Sequence, residues 1–134
     1  VSIPLGYESQ SLAASPELVG GGFLFTTVGP RSYAIPAGVP NSATEILVYI
    51  GIELGSGGGT GAGRRRTYTV YTQEGGVLYE QRLKAHQYDH GTWVFNSDNV
   101  WLPITSERKV WVKLDTAIAA AQNAQGEIAI LGYR

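Results

Sequence analysis

The stretch YDHGTWVFNSDNVW, residues 88–101, holds the side chains of this chain best suited to recognition chemistry: Asp89, His90, Trp93, Asn96, Asp98, Asn99 and Trp101. Acids and amides offer acceptors and donors to hydroxyl groups, while tryptophan rings offer flat apolar faces. A sugar needs both, because its ring face stacks and its hydroxyls demand hydrogen-bond partners. These seven residues form the expected ligand-binding site. The plainer reading of the same stretch is a turn at Asn96-Ser97-Asp98-Asn99 between two short strands, since Asn, Asp and Ser side chains bond readily to nearby backbone.

Other constellations carry less. His86 and His90 stand four apart, a spacing that aligns metal ligands only on a helix, and the flanking residues read as strand and turn. Asp89, Asn96, Asp98 and Asn99 are oxygen donors of the kind calcium accepts, but without the spacing of a calcium loop; no cofactor is expected, with calcium as the alternative. Gly57, Gly59 and Ala62 match a relaxed dinucleotide fingerprint, yet a β-type run follows where that motif requires a helix. Arg64-Arg65-Arg66 forms a compact cationic cluster able to grip sulfates, uronates or phosphates, or simply a solvated loop end. There is no G-x-S-x-G nucleophile turn, and no motif positions either of the two histidines. The chain reads as non-catalytic.

Those groups need a scaffold. The 134 residues suit one domain spanning 1–134. Ten Lys plus Arg against eleven Asp plus Glu leave no global field to draw nucleic acid or an anionic membrane. No uninterrupted apolar run approaches the roughly 18 residues of a membrane helix, so no membrane insertion is expected. The absence of cysteine removes disulfides and thiolate chemistry together. The start at Val1, with no charged leader and apolar run before it, reads as a processed, secreted chain.

Eighteen glycines, eight tyrosines and many short β-branched runs indicate an all-β chain. Strands are expected at 22–28, 31–36, 44–54, 66–72, 77–85, 92–95, 100–104, 109–114 and 127–133, and together they suggest a single antiparallel β-sandwich of jelly-roll type. The strongest local signal is Gln73-Glu74-Gly75-Gly76, a glycine-bearing loop between alternating runs and hence a hairpin. Asp115–Gln125 reads as a short Ala-rich helix ended by Gly126. GSGGGTGAG, 55–63, reads as a flexible loop. Residues 46–50 are apolar on both faces, which fits a central strand or one covered by another copy. Trp111 falls out of phase with Val110, Val112 and Leu114, as a contact residue or one covered by a loop. These two features point to a homo-oligomer.

The segments YAIPAGVPNSATEILVY (33–49), YTVYTQEGGVLYEQ (68–81), NSDNVWLPI (96–104) and ILGYR (130–134) resemble secreted, lectin-like β-sandwich modules of marine invertebrates. The resemblance covers most of the chain and implies an extracellular recognition domain that assembles with itself. Glycans or glycoproteins are the partners expected on this reading; the alternative is a structural or adhesive extracellular domain whose exposed aromatics form an oligomer interface.

Overall fold

The computed structural model describes the backbone of residues 11–18, 23–24, 30–56, 64–87, 94–114 and 122–134, and side chains within 30–53, 67–84, 94–114 and 127–134. The described residues are all-β. Nine strands follow in order: β1 Ser11–Leu18, β2 Phe23–Leu24, β3 Arg31–Ala34, β4 Glu45–Ser56, β5 Arg64–Glu74, β6 Val77–Gln87, β7 Val94–Pro103, β8 Lys109–Leu114 and β9 Gln122–Tyr133. They form two antiparallel sheets, β1-β9-β4-β7 with β2 also on β9, and β3-β8-β5-β6.

Between the sheets lies a continuous apolar core. Ile46, Val48, Ile50 and Ile52 of β4 form its spine, with Ile128 and Ile130 from β9 and Leu102 from β7; Tyr68, Val70, Val110, Val112, Leu114 and Leu83 come from the second sheet. The period of two along each strand places these residues on one side. β4 is central, paired to β9 on one flank and β7 on the other, so its two-sided apolar character has an explanation within the chain. Its outer residues Leu47 and Tyr49 are half-buried.

The expected hairpin is present. Gly75 and Gly76 adopt φ of 55° and 82°, both positive as a two-residue turn matched to strand twist requires, and Glu74 pairs with Val77. Beyond that turn Glu74 accepts from the Ser106 backbone N–H at 2.8 Å and from its hydroxyl at 2.8 Å, tying the β5–β6 hairpin to the β7–β8 connection. Both bonds favour the ionised carboxylate and hold the Glu74 pKa below its ordinary value. Within that connection Arg108 takes a positive φ of 49°, and its guanidinium donates to the Val39 carbonyl at 2.8 Å.

Several sequence expectations need correction. Asn96-Ser97-Asp98-Asn99 is no turn: the described part of the run expected at 92–95, Val94 and Phe95, and Val100–Pro103 of the run expected at 100–104 belong to one strand through those residues, in unbroken register with β4 from Glu45↔Pro103 to Leu54↔Val94. The helix expected over Asp115–Gln125 is not formed at its C-terminal end, where Gln122–Gln125 pair with Glu53–Ser56, and Gly126 lies opposite Ile52 inside β9 rather than ending a helix. In both places a long partner strand takes the backbone N–H and C=O of alternate residues, outweighing local preferences worth tenths of a kcal/mol. Residues 115–121 lie outside the described residues. Gly55 and Ser56, expected in the glycine loop, extend β4, and β1 carries no strand signal of the kind used above.

Candidate functional site

The site expected at 88–101 now separates by strand parity. Ile104 N–H donates to the Thr44 carbonyl at 2.8 Å, so the even-numbered residues of β7 direct their backbone groups to β4 and the odd-numbered ones direct theirs to the open edge. The side-chain oxygens of Asn96 and Asp98 accept the N–H groups of Ser97 at 2.9 Å and Asn99 at 2.8 Å. Asn96 also donates to the Lys84 carbonyl of β6 at 2.7 Å. The polar run therefore satisfies an edge strand's own amides and links the two sheets, a device that blunts an edge.

The side chains of Phe95, Ser97, Asn99 and Trp101 occupy the other, outer face of β7, opposite Glu53, Gly51, Tyr49 and Leu47. Phe95 is 57% exposed. Trp101 is half-buried, with the Arg134 guanidinium 4.1 Å from its ring centre; Arg134 in turn reaches Glu45 through Nε at 2.9 Å and a terminal nitrogen at 2.7 Å. Beside them Tyr49 reaches over Gly51, whose Cβ position would fall 2.6 Å from the tyrosine oxygen. Only glycine lets the ring lie there. The Tyr49 hydroxyl donates to Glu127 at 3.1 Å.

Of the seven expected site residues, Asn99 and Trp101 share this outer face, whereas Asn96 and Asp98 lie on the opposite one. Asp89, His90 and Trp93 lie outside the described residues. Phe95, Ser97 and Tyr49, which lie on the same face as Asn99 and Trp101, were not among the seven; reading 95–101 as a strand with period two would have found the first two. No three metal-ligating side chains gather among the described residues.

A second aromatic surface covers the outside of the other sheet. Trp111 stacks on Tyr71 with ring centres 6.1 Å apart and 11° between planes. Its indole N–H donates to Glu107, Lys109 lies 5.9 Å from its ring centre and Lys113 lies 5.2 Å from that of Tyr71. Trp111 thus finds partners within its own chain. On this face Tyr71 and Thr69 are only 5% and 6% exposed.

Burial raises the pKa of both tyrosines; the acceptor Glu127 adds to the rise at Tyr49, and the charge of Glu107 at Tyr71. A phenol whose pKa rises on folding contributes stability that is complete below its ordinary value of 10.0 and lost as the pH climbs through the folded value. Thermal unfolding followed across alkaline pH should show a midpoint that drops above pH 10, with a smaller drop in Tyr49→Phe and Tyr71→Phe.

No protein-family model matches the chain, and no curated protein matches it. The functional reading rests on the geometry of these surfaces.

Proposed function

We propose that this chain is a non-catalytic, lectin-like carbohydrate-binding module of the extracellular space, needing no cofactor and acting multivalently through self-association. The observation that carries the reading is the outer row of β7: aromatic, hydroxyl, amide and aromatic in succession, at Phe95, Ser97, Asn99 and Trp101. Outward side chains on one strand stand about 7 Å apart, so a saccharide lying along the row meets an apolar ring at each end and polar groups between. Asp89, His90 and Trp93, which precede Val94 in sequence, complete the proposed ligand-binding set. A shallow sugar site is weak alone, and several on one assembly raise avidity without new contacts. Glycans or glycoproteins are the partners. The sandwich is read as a jelly roll, supported by a chain that changes sheet at nearly every connection after β2.

A glycan array probed with labelled protein, followed by titration of each hit against tryptophan fluorescence, tests the reading. Saturable binding with a change in fluorescence is expected; an array silent across neutral, sialylated and sulfated glycans would overturn it. One observation favours the second reading, a structural or adhesive domain: Val77, Leu78 and Tyr79 are consecutive and 54%, 39% and 42% exposed, an apolar run suited to protein contact. On that reading the array stays silent while self-association persists.

A further inference from the structure

The two sheets end on the same flank in two edge strands of different character, β7 and β6. Asn96 and Asp98 close the edge amides of Ser97 and Asn99 on β7, and Pro103 ends that strand. β6 is an eleven-residue strand with no bulge in its pairing to β5 and no proline. Because Glu74 and Val77 flank a two-residue turn, they form a hydrogen-bonded pair, and Val77, Tyr79, Gln81 and Leu83 point their backbone groups at β5. Leu78, Glu80, Arg82 and Lys84 point theirs outward. Asn96 takes the carbonyl of Lys84; among the described residues no strand takes the groups of Leu78, Glu80 and Arg82.

An unbulged edge of this kind is a template for another strand. We propose that the second strand is β6 of another copy of this chain, paired antiparallel about a two-fold axis at Gln81, so that two four-stranded sheets become one of eight. The inference rests on the self-association put forward above and specifies its interface. Charge selects the register. Centring the axis on Glu80 sets two carboxylates directly opposite, and centring it on Arg82 sets two guanidinium groups opposite; like charges so placed are destabilising. Centring it on Gln81 sets Glu80 against Arg82 of the partner subunit, twice by symmetry, with four backbone hydrogen bonds across the join. The groups already pair within one chain at 3.0 Å, so both are held on the same face. In that register Tyr79, 42% exposed, comes beside Leu83 of the partner subunit, and the ladder ends at Lys84, whose carbonyl is engaged.

Sedimentation equilibrium over a wide concentration range, with Glu80→Arg, Arg82→Glu and the double exchange, tests the interface. The parent should dimerise; each single exchange places like charges opposite each other twice and should weaken the dimer at least about tenfold; the double exchange should restore it. Hydrogen exchange should show the Glu80 and Arg82 amides slowing as the dimer forms. A parent that is monomeric at every concentration overturns both the interface and the self-association behind it. Undiminished association in both single exchanges, with those amides still fast, overturns the β6 pairing and leaves self-association standing by another surface.

Discussion

Replacing Ile50 by alanine should destabilise the protein by about 3–4 kcal/mol, because a wholly buried side chain at the centre of the β4 spine leaves a cavity that neighbours on fixed strands fill poorly. The transition midpoint should fall by about 10 °C or more in a domain of this length. Leu47→Ala is the matched control. That residue lies on the same strand with the opposite parity and is half-buried, so its loss should cost about 1 kcal/mol. Calorimetry or denaturant titration of the two variants measures the difference. Equal losses would mean that the outer face of β4 is as fully covered as the inner one, in contradiction to the packing described.

Phe95→Ala should leave the fold intact and reduce glycan binding by about tenfold, since an exposed ring contributes little to folding and truncating an aromatic contact residue costs about 1–2 kcal/mol of binding. Trp101→Ala should behave differently. It removes the second ring of the row and also the surface on which Arg134 lies before reaching Glu45. That ion pair is about one-third exposed and screened by solvent, so the added loss of stability is about 1–2 kcal/mol. Binding titrations beside thermal melts separate the two effects. If Phe95→Ala binds like the parent while Trp101→Ala loses binding only in step with stability, the outer row of β7 is structural and the proposed site fails.

Much of the scaffold was legible in the sequence. Alternation of apolar and polar residues identified at least part of eight of the nine strands, and Gly75-Gly76 marked its hairpin, because side-chain parity and positive φ are local properties. The all-β class follows from the same signals. Two local signals misled. Asn96–Asn99 carries turn residues, and 115–125 carries alanines, yet β4 holds Asn96–Asn99 and the end of the second segment in its ladders. Local preference cannot register a partner strand so distant in sequence.

The grouping of side chains was decided by tertiary structure. Composition assembled Asn96, Asp98, Asn99 and Trp101 into one expected site, and pairing to β4 divided them between two faces, giving Asn96 and Asp98 to the strand edge while setting Phe95 and Tyr49 on the face of Asn99 and Trp101. Arg134, at the far end of the numbering from Glu45, meets Trp101 only because β9 and β7 both lie against β4. Sequence by itself determined which strands could form, through properties of neighbouring residues. Which strand became an edge, which ring was covered and which polar group remained available depended on the order of strands in the sheets, because hydrogen bonds and burial join residues distant in the chain.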